Sequence, residues 1–301
     1  VRVTLLSGGT GGAKLARGLY ELLGEDLAVI ANTGDDIEIH GAYVSPDPDL
    51  VTYWLADRID ERGWGIDGDS FAAMAMLREL GTDVWFSLGD RDLAVCLERR
   101  RMLDAGLTLS EAHAKLTAAL GVRAQVIPMS DEPVRTSVTA GGLTVGLQEF
   151  LIRLGGAGPI EDIRFEGAAQ AGGSPSALAA LATADAIVIG PSNPIISIGP
   201  ILAIDAIRAA IEATDAPVIA VSPIVGGRVL KGPTAACMAW AGESADATGV
   251  ARCYGGLLDA IVSDQAVAGL RSLECDVLMD DAPARLRLAE RTLQLADGLR
   301  R

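Results

Sequence analysis

The chain has 301 residues, half of them hydrophobic, and sets 40 acidic against 25 basic side chains for a formal net charge of -15. That apolar share excludes a disordered chain, and the acidity excludes nucleic acid as a partner, because a polyanion is repelled by most of such a surface. No apolar run reaches the roughly 18 residues of a membrane span. The opening residues also lack the basic region and cleavage site of a secretory signal, so a cytoplasmic protein without membrane contact is expected.

In chain order, Val3–Leu6 is a short apolar run, followed by the glycine turn SGGTGGAK and then by Leu15, Leu19, Leu22 and Leu23 at helical spacing. LAVIAN supplies the next β-rich run, which makes the opening a βαβ unit. FAAMAMLREL and LSEAHAKLTAAL read as amphipathic helices, and VWFSLGDRD between them as another strand running into a loop. From about 122 to 170, short alternating runs broken by Pro and Gly-Gly predict an antiparallel insertion. The order returns in ADAIVIGPSNP, IDAIRAAIEAT and APVIAVSPIVGG, a buried strand, a helix and a second buried strand. The expected fold is α/β: one Rossmann-like, three-layer, doubly wound and mostly parallel sheet over residues 1–301, with a smaller α+β region inserted.

Ligands in such sheets bind beyond the carboxyl ends of the strands, so the polar loops there are the candidate sites. In SGGTGGAK, Gly8, Gly9, Gly11 and Gly12 let the backbone approach a ligand while the helix start offers N–H groups to an anion. The segment departs from a Walker loop at Ala13 and Leu15, and from a dinucleotide fingerprint at Lys14. A plain tight turn is the alternative. In NTGDDIEIHGAYVSPDPDL, Asp35, Asp36, Asp47 and Asp49 are two acid pairs suited to magnesium, which takes one or two carboxylates beside phosphate and water. Solvated turn carboxylates, or a ribose-binding acid at Asp35 or Asp36, are the competing readings. His40 either contacts phosphate or caps a loop. In LGDRDLA, Arg91 is a candidate phosphate contact held by Asp90 and Asp92, or one half of a structural ion pair. GPSNPIISIGPIL looks like a second anion cradle through Ser192 and Asn193, and Lys231 offers a cation. Four cysteines without a C-x-x-C pair, and only two histidines, give no zinc signature; Cys96 and Cys237, among apolar neighbours, read as core residues.

SGGTGGAKLARGL, ANTGDDIEIHGAYVSPDPDLVTYWL, RGWGI, FSLGDRDLA, GPSNPIISIGPIL and SPIVGG stand in the order that resembles the 2-phospho-L-lactate transferases of coenzyme F420 biosynthesis, over nearly the whole chain. The resemblance implies a transferase for substituted phosphate groups that moves 2-phospho-L-lactate, or phosphoenolpyruvate in the variant enzymes, from its GDP-linked donor to the ribityl hydroxyl of the deazaflavin Fo, releasing GMP. It also implies Mg²⁺ as cofactor and a homodimer. Carried onto this sequence, Asp35 and Asp49 come first as metal ligands and Asp36 and Asp47 second, with Asp35, Asp36, Asp49 and Arg91 as the catalytic set. Gly8, Gly9, Thr10, Gly11, Gly12, Lys14, Asn32, His40, Asp90, Ser192, Asn193, Ser197 and Lys231 are expected around the donor, and the deazaflavin near Tyr53, Trp54 or residues 85–92. Nucleotide-sugar-binding regulators of the gluconeogenesis-factor type share the glycine turn but not SPDPD or PSNPIISIGP. A nicotinamide oxidoreductase lacks its third glycine here.

Overall fold

The structure is a computed structural model describing residues 1–230 and 232–300. Seven strands form its central sheet: β1 Val3–Ser7, β2 Leu27–Ala31, β3 Gln125–Pro128, β4 Ala186–Ile189, β5 Val218–Val221, β6 Ala260–Ser263 and β7 Arg271–Glu274. All neighbours pair parallel, in the order β7-β6-β5-β4-β1-β2-β3. This is the doubly wound order with one strand added, and its direction reverses between β1 and β4.

Successive side chains of a strand face opposite ways, so each strand feeds both faces. Leu5, Val29, Val188, Ile219 and Val262 point into one core with Leu15 and Leu19 of helix α1 (Gly9–Leu23) and Leu288 of the helix Ala282–Asp297. Leu6, Ile30, Ile187, Ala220 and Ile261 point into the other, against Leu181, Ile207, Ile211 and Val250. Strands buried on both faces read as continuous apolar runs, which is why LAVIA and AIVI are uninterrupted. Among the described residues, no helix is long and apolar enough to cross a membrane.

Two departures from the expected layout bear on the site. Residues 125–128, placed by sequence in the insertion, are the sheet's edge strand β3; the antiparallel unit is the three-stranded sheet of Arg135–Ala140, Leu143–Gly146 and Ile160–Glu166. Its tight turn uses Gly141 and Gly142, both at positive φ (59° and 74°). Val84–Leu88, expected as a strand, has no strand pairing: Phe86 and Leu88 instead fill a satellite core with Met74, Cys96 and the hairpin Ile37–Ile39/Ala42–Val44. A short apolar run carries no periodicity that separates these outcomes.

Candidate active site

β1 ends at Ser7 and α1 begins two residues later, so the glycine turn lies at the point where the sheet order reverses. The four leading N–H groups of a helix lack intrahelical partners. Here the N–H of Gly8 donates to Ser192 Oγ (3.2 Å) and that of Gly9 to Asp47 Oδ1 (2.6 Å). Those of Thr10 and Gly11 make no hydrogen bond among the described residues. Two open donors at the positive end of a 15-residue helix are an anion-binding device.

The glycines are required by loop contact as well. A Cβ on Gly11 would overlap the Pro191 carbonyl oxygen, and one on Gly8 would lie 2.6 Å from Ser197 Cβ and 2.9 Å from Asp47 Oδ2. Gly11→Ala should therefore push the 191–197 loop aside, costing about 1–3 kcal/mol and at least tenfold in turnover, because even ~1 Å of misplacement is felt by a reacting group. Thermal melts and initial rates check this; a variant with native rates would mean the loop yields without consequence.

Asp35 and Asp47 converge beside this helix start. Asn32 Nδ2 donates to both, to Asp35 Oδ1 at 3.3 Å and Asp47 Oδ2 at 3.0 Å, while its Oδ1 accepts from Gly34 N–H. Gln148, from the inserted unit, donates to Asp35 Oδ2 at 2.9 Å. No Lys or Arg forms a salt bridge with either carboxylate among the described residues. Burial, and then the neighbouring Asp47 and Asp36 charges, push Asp35 well above the usual carboxylate range; burial pushes Asp47 up to about 6.

The other two acids of the segment, also expected as metal ligands, are engaged by neighbouring side chains in this structure. Asp36 accepts from Tyr43 OH (3.0 Å) and Ser45 Oγ (2.8 Å), and burial lifts it to about 7 against the opposing pull of Arg135. Asp49 borders a cavity, but its oxygens receive both terminal nitrogens of Arg99, a guanidinium with 0% exposure on the helix Asp90–Asp104. Asp90 accepts from Ser70 Oγ and from the N–H groups of Ala72 and Ala73, holding the start of the helix Ala72–Glu79. Arg91 is exposed, donates to the Asp67 carbonyl and lines neither cavity described below; His40 bonds the Phe86 carbonyl through Nε2. Lys231 lies outside the described residues. Lys14 Nζ donates to the Met279 carbonyl (2.8 Å), fastening α1 to the 277–279 loop.

Two cavities open beyond the carboxyl ends of the strands, of about 450 and 580 Å³. The first has Gly11, Lys14, Ser192, Asn193, Ser222 and Thr234 in its wall. Asn193 is partly spent on its own loop, since its Oδ1 accepts the N–H groups of Ile195 and Ile196, so this loop offers fewer backbone donors than expected of a second anion cradle. The second cavity is aromatic and acidic, with Tyr53, Trp64, Trp85 and Phe86 facing Asn32, Asp35, Asp47, Gln148 and Asp92. Gly9, Thr10, Leu151, Ile196 and Ser197 line both, so the cavities adjoin over the start of α1. Trp54 lines neither and stacks with Arg285. Sequence reasoning missed Gln148, Arg99 and Arg135; no local pattern singles out residues that act from 50 to 113 positions away.

The chain matches the family described as 2-phospho-L-lactate transferase CofD over residues 3–286. It belongs to that family. It is 39% identical to a phosphoenolpyruvate transferase of Kitasatospora aureofaciens, covering 100% of this chain and 99% of that protein. It is likewise 39% identical to a 2-phospho-L-lactate transferase of Methanopyrus kandleri, covering 99% of each. A crystal structure of a UPF0052 family protein from Bacillus halodurans shares the fold of this 2-phospho-L-lactate transferase family member at 16% identity, with a TM-score of 0.66 over 97% of this chain and 98% of that one.

The raised carboxyls of this family member fix the sign of a pH effect. Asp47 at about 6, and Asp36 and Asp92 at about 7, stand above the ordinary 3.8. A raised acid stabilises the fold fully below its unfolded value, and that contribution is lost as pH rises through the folded one. The metal-free protein should therefore melt several degrees higher near pH ~5.5 than near pH ~8, by calorimetry in matched ionic strength. A melting temperature that rises across this window would contradict the assignment.

Proposed function

We propose that the chain transfers a phospho-acid, 2-phospho-L-lactate or phosphoenolpyruvate, from its GDP-linked donor to the ribityl hydroxyl of the deazaflavin Fo, releasing GMP, as a step of coenzyme F420 biosynthesis. The observation that carries this reading is the meeting of two cavities over the open N–H groups of Thr10 and Gly11, beside the paired Asp35 and Asp47. The cavity walled by Ser192, Asn193 and Thr234 suits the nucleotide, and the aromatic one suits a planar ring. The diphosphate then lies between them.

In the transfer, the acceptor hydroxyl oxygen bonds to the phosphorus that carries the acid. The bond from that phosphorus to the bridging oxygen breaks, GMP leaves with the bridging oxygen, and the hydroxyl proton passes to the Asp35–Asp47 pair or to water. Such chemistry asks chiefly for positioning and for neutralising charge on the oxygens. The amides of Thr10 and Gly11 supply part of that.

The donor set also fits magnesium: two buried, mutually repelling carboxylates without an ion-pair partner among the described residues, at a cavity wall, are hard oxygen ligands short of positive charge. Asp35 and Asp47 would hold the ion, which when bound would offset charge on the diphosphate and draw both carboxyls back to their ionised forms. Gln148 and Asn32 keep the two side chains aimed at one another.

The test is to mix the protein with Fo, Mg²⁺ and each GDP-linked acid, and to follow GMP and the deazaflavin diester by chromatography. Equimolar appearance of both supports transfer; nucleotide bound without GMP release would make the protein a binding module instead.

A further inference from the structure

We propose that Asp92, held by Tyr53, reads the polar ring edge of the acceptor and so determines acceptor specificity. This rests on the assignment of the aromatic cavity to the deazaflavin.

The cavity wall is dominated by ring faces and aliphatic side chains, which bind any flat molecule of suitable size and discriminate poorly among them. Three of its four acids are already committed. Asp35 and Asp47 belong to the transfer centre, and both oxygens of Asp49 are taken by Arg99. Asp92 differs. It lies in the first turn of the helix Asp90–Asp104, is partly buried and borders the cavity. Its Oδ1 accepts from Tyr53 OH at 2.8 Å. Its Oδ2 carries no hydrogen bond among the described residues.

The carboxylate is also well fixed. Tyr53 is 2% exposed, so its hydroxyl cannot swing away, and the backbone N–H of Asp92 is tied to Asp69 Oδ2 at 3.1 Å. A rigid acceptor oxygen among aromatic walls is the arrangement that selects a flat ligand bearing an N–H donor. A ligand lacking that donor would leave the oxygen desolvated and unpaired. The pyrimidine-dione edge of a deazaflavin has such a donor, a ring N–H between two carbonyls. A plain aromatic alcohol of the same shape has none.

The experiment measures acceptor saturation curves by GMP release, at saturating donor and Mg²⁺, for Fo and for its analogue methylated on that ring nitrogen. The wild-type enzyme should show KM at least tenfold higher for the methylated ring. Asp92→Ala should raise KM for Fo about tenfold or more, with the change in KM rather than kcat, and should erase the difference between the two acceptors. Tyr53→Phe should have a smaller effect in the same direction, and Asp92→Asn, which retains an oxygen acceptor, should keep part of the discrimination and guards against misfolding of the alanine variant. A purely structural role for Asp92 would lower kcat or the melting temperature while leaving the preference between acceptors intact, and that outcome overturns the proposal. If the wild-type enzyme transfers to Fo but accepts the methylated ring equally well, this inference fails and the transfer reading stands. If no acceptor elicits GMP, the transfer reading itself fails.

Discussion

Asp47→Asn should lower the rate of GMP release by about a thousandfold while leaving a cooperative thermal transition. The magnitude is that of removing a preorganised charge from a phosphoryl-transfer centre, roughly 3–4 kcal/mol of barrier. The side chain holds two positions at once: Oδ1 on the first N–H of α1 and Oδ2 on Asn32. An amide keeps one contact but sets its NH₂ against a donor in the other, and it removes half of the charge offered to a cation. The fold should tolerate the change because it relieves repulsion with Asp35. Asp35→Asn should behave similarly, and Asp36→Asn, whose carboxylate faces Tyr43 and Ser45, much more mildly. A measured loss below tenfold in Asp47→Asn would remove it from the centre of the reaction.

Arg99→Met should be the most destabilising single change near the site, by about 3–5 kcal/mol, because it strands the Asp49 carboxylate in the interior. For a chain of this size that is on the order of 10 °C in melting temperature. The surroundings sharpen the effect. Asp92 lies close to Asp49, and the fully buried His113 is a poor substitute cation, since burial, the larger cause of its lowered pKa, persists without Arg99. Replacing both partners, as in Arg99→Met with Asp49→Leu, should recover most of the loss, since a buried ion pair and an apolar pair of similar volume differ little. If the double variant is no more stable than the single one, the ion pair is not the cause.

The sheet was legible because its physics is local. Leu5 and Leu6 of β1, LAVIA, AIVI and VIAV are apolar on both faces, and the glycine turn and α1 follow the first of them directly. The edge strand Gln125–Pro128 was hidden by its neighbours, its apolar run cut to two residues by Gln125 and Pro128 and lying next to a true hairpin. Within the site, the family strings located the acid segment but not the division of labour inside it. Asp47 and Asp49 lie two residues apart on helix α2 (Pro46–Leu55), hence about 200° apart around its axis. One therefore faces α1 and the other the helix Asp90–Asp104. Choosing between them requires knowing that Arg99, one of several arginines in ERRR, turns inward. For Gln148 the difficulty is distance, since an ordinary amide in an inserted unit becomes a partner of Asp35 only after the chain has folded.

The crowding of acids at the sheet rim has a practical consequence for anyone engineering this protein. A screen that rewards heat resistance alone would be drawn first to the sites where like charges are pressed together, and neutral substitutions at Asp35 and Asp47 would score among its successes. Such clones should survive heating while turning over far more slowly, so selection has to include turnover from the first round.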